Sequence, residues 1–170
     1  MTVVVSDTSP IRALDFLRRL ETLPILFGNI LLPPAVVDEL ARTSDRFRPI
    51  RVTDYDYLQM RAASDTGKVS SLLPTIDRGE AEAIVLAREV GADAILIDEA
   101  DGRRVARQQY GLRVVWTLGI LLSEKQRGMV PAVRPQAHSA FAALELARQL
   151  MKRDGRGLVG VILGVVSVWY

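Results

Sequence analysis

The stretch that decides the fold is Val3-Val4-Val5-Ser6-Asp7-Thr8-Ser9-Pro10, close to the start of the chain. Its β-branched residues favour a strand, and Pro10 is typical of the first turn of a helix. The aspartate between them therefore stands at the carboxyl end of a strand, where open parallel α/β sheets form their ligand sites. A second apolar stretch, at 94–97, also ends in an aspartate, Asp98. This repeated junction of strand and acid predicts a site at one edge of a parallel sheet.

Strand-like and helix-like segments alternate along the chain. This alternation predicts a three-layer α/β/α fold around a central, mostly parallel sheet. The predicted strands are 3–5, 30–32, 94–97 and 112–116, with a further candidate at 50–52. The predicted helices are 10–20, 33–40, 55–63, 80–90, 102–110, 118–126 and 136–152, and 65–74 is interpreted as a loop.

The length of 170 residues suits one domain with its own core. We expect this domain at 1–156, followed by an atypical apolar tail at 157–170 that carries no charge. The tail is shorter than the roughly 20 residues of a membrane-spanning helix. A buried or partner-contacting strand, an exposed aggregation-prone segment and a foreign or frame-shifted end are the alternatives for it. The amino terminus does not have the pattern of a signal peptide, so we expect a cytoplasmic protein without membrane contact.

The chain contains no cysteine and a single histidine, His138. Disulfides, thiolate metal sites and a cysteine nucleophile are therefore excluded. Sites with several histidines, or with a Ser/His/Asp triad, are poor candidates for the same reason. Any metal chemistry must use carboxylates, which favour hard cations such as Mg²⁺ or Mn²⁺. The net charge of +2 says little about nucleic-acid binding, because the local distribution of charge matters more.

Asp7 also has an ordinary structural interpretation, since an aspartate before a helix commonly caps it. Asp7 would be available for other chemistry if Thr8 or Ser9 capped the helix instead, and we take that as a requirement of the metal-site hypothesis. Asp98 is followed closely by Glu99 and Asp101, as the sequence shows. One cap does not need three acids, so at least one of them is left for another role.

Two glutamates lie near the starts of helices that follow strands, and so near the same sheet edge. Glu39 flanks the apolar stripe of its helix, although an acid in a first turn usually just complements the helix dipole. Glu80 shares a face with Ala83 and Ile84, and a carboxylate there is costly unless it is paired or bound to a cation. Glu82 lies on a more mixed face, so we expect it to be solvated.

Together these acids predict a divalent-metal site. Like charges about 4 Å apart repel by several kcal/mol at the effective dielectric of a protein surface. Such a cluster needs protons or cations, and carboxylate-bound Mg²⁺ is typical of phosphate chemistry. Arg12 follows Asp7 by about one helical turn, and three further arginines follow the last acids by one or two turns. We expect a phosphate backbone near the metal to contact Ser9, Arg12, Arg103, Arg104 and Arg107. For any single arginine, a solvated helix face with local ion pairs is at least as good an interpretation.

With these residues in place, the chain resembles a PIN domain, and most closely the DUF3368-type prokaryotic PIN proteins related to VapC toxins. The matching stretches are VSDTSPI (5–11), LPPAVVDEL (32–40), DRGEAEAI (77–84), ILIDEADGRRVA (95–106) and VWTLGIL (115–121). The resemblance extends to about residue 135, and its specificity comes from the order and spacing of motifs that are individually weak. The apolar tail departs from the family pattern.

The resemblance implies a ribonuclease that uses Mg²⁺ or Mn²⁺, often the toxin of a toxin–antitoxin pair. Its implied catalytic residues are Asp7, Glu39, Glu80 and Asp98. Its implied metal ligands are Asp7, Glu80 and Asp98, with Glu99 or Asp101 as a further acid. The expected partners are an RNA substrate, a protein antitoxin and a second copy in a homodimer. The alternatives are a non-catalytic PIN-like module that binds RNA or protein and, ranked lower, a metal-dependent phosphatase acting on small molecules.

Overall fold

The computed structural model describes residues 2–43 and 47–127. The predicted helix at 136–152, the predicted domain boundary at 156 and the apolar tail lie outside these residues. The chain divides into two compact units, Met1–Ser123 and Glu124–Tyr170, and the elements below belong to the first unit unless stated. Within the described ranges, no helix combines the length and the apolar character needed to cross a membrane.

The centre of the first unit is a five-stranded sheet in which every pairing is parallel. Its strands, in chain order, are β1 (Val4–Ser6), β2 (Ile30–Leu32), β3 (Leu58–Met60), β4 (Ala94–Leu96) and β5 (Val114–Val115). They lie in the spatial order β3-β2-β1-β4-β5. Helices cover the sheet on both sides, so the predicted three-layer α/β/α fold is confirmed.

In the part of the chain that the structure describes, seven helices connect or follow the strands. They are α1 (Thr8–Phe16), α2 (Thr22–Phe27), α3 (Pro34–Ala41), α4 (Thr66–Leu72), α5 (Arg78–Glu89), α6 (Ala100–Gln108) and α7 (Thr117–Gln126), which runs into the second unit. A short 3₁₀ helix, Val52–Asp54, precedes β3. Because the strands are parallel, the helices that directly follow them begin at the carboxyl edge of the sheet.

The alternating side chains of each strand divide the core between the two faces of the sheet. In β1, Val4 packs into one apolar cluster and its neighbour Val5 into the other. The first cluster joins the sheet to α1 and α3, and the second joins it to α5 and α6. The central strands are buried on both faces, as in other parallel sheets.

Three local predictions from the sequence were wrong. No strand forms at 50–52, and β3 occupies the middle of the predicted helix 55–63. In β3 only Leu58 is buried, because this strand lies at the edge of the sheet, so the sequence carries little apolar alternation. The predicted loop 65–74 contains α4, which Asp65 caps by accepting a hydrogen bond from the Lys68 N–H at 2.9 Å.

Candidate active site

The carboxyl ends of β1 and β4 meet at the centre of the sheet. Ser6 pairs with Leu96, and the Asp7 N–H donates to the Leu96 carbonyl oxygen at 3.0 Å. From β1 the chain moves to β2 on one side, and β4 lies on the other side, so this is the point where the strand order reverses. Ligands of open α/β sheets bind in the crevice at such a point. Asp7 and Asp98 each follow one of these two strands, as the sequence predicts.

Asp7 is the N-cap of α1, contrary to the requirement that Thr8 or Ser9 take this role. Its Oδ2 accepts a hydrogen bond from the Ser9 N–H at 3.4 Å, which is long for such a bond. Its Oδ1 faces Gly79, where an added Cβ would lie 3.1 Å from this oxygen. The capping hydrogen bond is therefore weak and engages only one carboxylate oxygen of Asp7. It does not remove this carboxylate from the crevice.

Burial raises the pKa of Asp7 well above its usual range, because the ionised form loses its hydration. The negative charge of Glu99 raises this pKa further, and Asp77 and Glu80 add smaller contributions of the same sign. A hydrogen bond from the Thr8 backbone N–H acts in the opposite direction. Asp7 is 2% exposed, so its environment favours a proton or a cation at the carboxylate.

The two hydroxyls after Asp7 hold acids from neighbouring helices. Thr8 Oγ1 donates to Glu39 Oε2 at 2.9 Å, and Ser9 Oγ donates to Glu99 Oε1 at 2.6 Å. Glu39 belongs to α3, and Glu99 precedes α6. The first turn of α1 therefore brings acids from both sides of the crevice toward Asp7.

Asp98 is held by the residue that begins α7. Thr117 donates its backbone N–H to Oδ1 at 2.8 Å and its hydroxyl to Oδ2 at 2.6 Å. Burial raises the pKa of Asp98 to about 6, although these two hydrogen bonds act in the opposite direction. The sequence did not single out Thr117 as a site residue, although it stands two residues after β5, near the same edge of the sheet as the acids.

Glu80 lies in the first turn of α5 and forms a capping box with Asp77. Glu80 Oε2 accepts from the Asp77 N–H at 3.2 Å, and Asp77 Oδ1 accepts from the Glu80 N–H at 2.9 Å. The carboxylate also approaches α6, where a Cβ on Gly102 would overlap Oε1 and lie 2.9 Å from Cδ. Glu80 is 3% exposed, so the expected buried position is confirmed.

Glu82 is buried, and the expectation that it is solvated was wrong. Its Oε2 accepts a hydrogen bond from the Ala35 N–H at 3.0 Å, and its Oε1 accepts from Arg78 Nε at 2.8 Å. The packing of α5 against α3 places this glutamate at the start of α3. The helical periodicity of α5 alone does not contain that information.

The arginines predicted to meet phosphate have different surroundings. Arg12 donates to the backbone carbonyls of Glu39 at 2.7 Å and Arg42 at 3.2 Å, so it binds the end of α3. Arg103 Nη1 donates to the Asp98 carbonyl oxygen, and its guanidinium lies 5.1 Å from the Trp116 ring centre. The exposed Arg104 and Asp101 pair with each other at 2.7 Å. Of these three arginines, Arg103 is in direct contact with the strand-end acid.

The acids lie in one region, but their side chains are not arranged as a coordination shell. In ranges 2–43 and 47–127, no three acidic or histidine side chains stand close enough together to hold one metal ion. Their chemistry nevertheless fits a hard cation, because the negative charges of Glu99, Asp77 and Glu80 raise the pKa of the buried Asp7 and the cluster offers oxygen ligands without nitrogen or sulfur donors. Asp101 is exposed and paired with Arg104, whereas Glu99 is coupled electrostatically to Asp7.

Comparison with known proteins identifies the family. The family model DUF3368, a PIN domain, matches residues 3–149. No curated protein and no solved structure matches the chain. PIN domains are generally nucleases that use divalent metals, which agrees with an acidic crevice at the carboxyl edge of the sheet. Because the match covers most of its length, this chain belongs to the DUF3368 family of PIN domains.

Proposed function

We propose that this PIN domain is a Mg²⁺- or Mn²⁺-dependent ribonuclease that hydrolyses phosphodiester bonds. The observation that carries the proposal is the burial of three carboxylates around the sheet's reversal point: Asp7, Glu80 and Asp98 are 2%, 3% and 5% exposed. Burying ionised carboxylates is expensive unless a cation or a proton compensates them. Family membership supports the same class of chemistry.

In this proposal Asp7, Glu80 and Asp98 hold the cation, with Glu99 as the further acid. We prefer Glu99 to Asp101 because Glu99 is coupled to Asp7, whereas Asp101 pairs with Arg104 at the surface. A bound divalent cation would supply an activated water and would neutralise charge on the phosphate.

The remaining residues of the crevice position these acids. Thr8 and Ser9 orient Glu39 and Glu99 through their hydroxyls. Glu39 is exposed, which suits a residue that orients the attacking water. It therefore has a different role from the buried ligands.

We extend the proposal to a toxin that acts in the cytoplasm as part of a toxin–antitoxin pair. The resemblance of the motifs to VapC relatives supports this, and it implies a protein antitoxin and a homodimer as partners. Co-expression with the product of an adjacent small gene tests the extension directly. Growth arrest that this product relieves is the expected result, and an absence of growth arrest would contradict the toxin role.

The test of the nuclease proposal is RNA hydrolysis by the full chain with Mg²⁺ or Mn²⁺, compared with an Asp7→Asn variant. We expect the variant to lose at least about 100-fold in rate, because it removes a charge that contacts the cation. Asp56→Asn is the matched control, since Asp56 is an exposed aspartate that precedes β3, on the amino side of the sheet. An unchanged rate of RNA hydrolysis in Asp7→Asn would contradict the assignment of Asp7 as a metal ligand.

A second candidate is a non-catalytic PIN-like module that binds RNA or protein. The observation in its favour is that no three acids in the described ranges converge closely enough for one ion. This candidate predicts weak Mn²⁺ binding and no RNA cleavage by the unmodified chain. Calorimetric titration with Mn²⁺, run beside the cleavage assay, separates the two candidates.

A further inference from the structure

Helix α3, which carries Glu39, ends without a basic residue in its last turn. The last four carbonyl oxygens of an α-helix have no partner inside the helix, and a basic side chain near the end commonly binds them. Arg12 takes this role from α1. Its Nη2 donates to the carbonyl oxygens of Glu39 at 2.7 Å and of Arg42 at 3.2 Å. The end of α3 is therefore capped by a side chain from a different helix.

The guanidinium of Arg12 is engaged on several sides. Its Nη1 donates to the Arg48 carbonyl oxygen at 3.3 Å, and the group lies 5.2 Å from the ring centre of Phe47. Arg12 is partly buried, whereas Arg104 and Arg107, two of the other arginines expected at a phosphate, are exposed on α6. A phosphate that used the guanidinium of Arg12 would have to displace hydrogen bonds that hold α1 to α3.

Three side chains on one face of α1 bind α3 and the chain that follows it. Thr8, Arg12 and Asp15 are spaced four and three residues apart, which places them on the same side of the helix. Thr8 Oγ1 donates to Glu39 Oε2, and Arg12 donates to the backbone of the same glutamate. Asp15 accepts two hydrogen bonds from the Arg48 guanidinium, at 2.7 and 3.1 Å. Glu39 is therefore held at two points, its carboxylate by Thr8 and its carbonyl by Arg12.

We propose that Arg12 is a positioning residue for Glu39, because it fixes the end of α3 against α1 where the Thr8 hydroxyl meets the Glu39 carboxylate. The inference rests on the proposed function, in which Glu39 orients the attacking water. Arg12 acts through Glu39 and does not itself contact the RNA. It therefore has a different role from the phosphate contact that its spacing from Asp7 predicts.

The central variant is Arg12→Lys, which keeps the positive charge but loses the planar group that reaches several carbonyl oxygens at once. Arg12→Ala removes the charge as well. Arg88→Lys and Arg88→Ala are the matched controls, because Arg88 is exposed in the last turn of α5. It is roughly 15 Å of helix away from the end of α5 that faces Asp7. Thermal unfolding shows which variants are folded, and Arg12→Lys decides the question if Arg12→Ala does not fold.

RNA hydrolysis with Mn²⁺ should show a lower kcat for both Arg12 variants. We expect a loss of about tenfold or more, which is the usual effect of removing a residue that orients an active-site group from outside. KM should stay within about twofold, since no contact with the bound RNA is removed. Glu39→Gln should lower kcat by itself, and the double variant Arg12→Lys/Glu39→Gln should be no slower than Glu39→Gln. The Arg88 variants should keep the kcat and KM of the unmodified chain.

Binding of a fluorescein-labelled single-stranded RNA, measured by fluorescence anisotropy in EDTA, separates positioning from a phosphate contact. The loss of one phosphate contact on a single strand reduces the magnitude of the salt slope by about 0.7. Arg12→Ala should leave this slope unchanged, as Arg88→Ala does. The inference is overturned if Arg12→Ala reduces the slope, if Arg12→Lys keeps the unmodified kcat, or if the losses from Arg12→Lys and Glu39→Gln multiply in the double variant.

Urea unfolding in EDTA tests the positioning of Glu39 without any cleavage. The midpoint shift caused by Thr8→Val is compared in the unmodified chain and in Arg12→Lys. If Arg12 holds Glu39 within reach of Thr8, this shift should be smaller in Arg12→Lys, because the hydrogen bond from Thr8 is already weakened there. If this coupling is found but RNA is never cleaved with Mg²⁺ or Mn²⁺, the nuclease proposal fails and the positioning of Glu39 stands. If RNA is cleaved but the two shifts are equal, the positioning inference fails and the nuclease proposal stands.

Discussion

Glu82 accepts a hydrogen bond from the backbone N–H of Ala35 at 3.0 Å, although the two residues belong to different helices. Helix α3 begins after Pro33, which offers no side-chain cap. The first turn of a helix leaves N–H groups without partners inside the helix. Glu82 therefore provides from α5 the cap that the sequence of α3 does not contain, and it links the helix of Glu80 to the helix of Glu39.

We expect Glu82→Ala to destabilise the protein by about 2 kcal/mol, since it removes a cap and leaves a backbone donor without its acceptor. Glu82→Gln keeps an acceptor oxygen and should cost less. Urea unfolding measures both variants. Asp38→Ala is the control, because Asp38 is an exposed acid on α3 itself. Equal stability of Glu82→Ala and Asp38→Ala would contradict the capping role.

Gly102→Ala should disturb the metal site at a modest cost in stability. The added Cβ would overlap Glu80 Oε1, which is the far end of a flexible side chain, and it would lie 3.2 Å from Ile97 Cδ1, so the carboxylate must move. The shift also weakens the capping bond from the Asp77 N–H to Glu80 Oε2, so we expect a loss of about 1 kcal/mol in unfolding free energy. We expect in addition a loss of at least about tenfold in Mn²⁺ affinity or RNA hydrolysis, because a displaced ligand costs more than about 1.4 kcal/mol. Calorimetry and the cleavage assay measure these effects.

The control for this substitution is Gly67→Ala in α4. Its Cβ would lie 3.5 Å from Asp65 Oδ1, which is ordinary contact. Replacing glycine by alanine within a helix stabilises it by up to about 1 kcal/mol. Gly67→Ala should therefore leave metal affinity unchanged and raise stability slightly. If the two substitutions have the same effect on metal affinity, the packing of Glu80 against Gly102 does not position the ligand.

The sequence was sufficient to predict the sheet and the acids at its edge, because β1 and β4 are short apolar runs that each end in an aspartate. Their parallel pairing then follows from the alternation of strands and helices, whereas the order of the strands within the sheet does not. The burial of Glu80 was predictable for a similar reason, since the helical period of α5 places it on an apolar face.

Other features depend on contacts that a single helix or strand does not encode. Glu82 is buried only because α3 starts against α5, and the bonds from Thr8 and Ser9 join residues that are 31 and 90 positions apart. The edge strand β3 escaped prediction because only Leu58 needs to be apolar there. In these cases the structure is determined by tertiary packing and not by the local sequence pattern.

Thr117→Val should raise the pKa of Asp98 above its value of about 6. The hydroxyl stabilises the ionised carboxylate, so its removal disfavours ionisation, while the Thr117 N–H still donates to Oδ1. A hydrogen bond to a charged group contributes about 1.5 kcal/mol or more, which corresponds to a shift of about one unit. NMR titration of the Asp98 carboxyl carbon measures the change. Thr53→Val, at an exposed threonine, is the control, and an unchanged pKa in Thr117→Val would contradict the prediction.

The pH dependence of stability should carry the signature of Asp98. Its pKa of about 6 in the folded chain lies above the roughly 3.9 of an unfolded aspartate. The folded state therefore binds more protons between these two values, and stability must fall as pH rises through this window. A shift of about two units corresponds to about 3 kcal/mol, lost between about pH 4 and pH 6 and fully absent at pH 7.

Urea unfolding of the unmodified chain and of Asp98→Asn at pH 4 and pH 7, in EDTA, measures this effect. The variant has no charge to gain at this position, so its stability relative to the unmodified chain should rise by up to about 3 kcal/mol between the two pH values. Adding Mn²⁺ at pH 7 should then restore stability to the unmodified chain by mass action, and much less to Asp98→Asn. If the two proteins keep a constant difference in stability across the window, the buried Asp98 is not the destabilising charge that a cation would compensate.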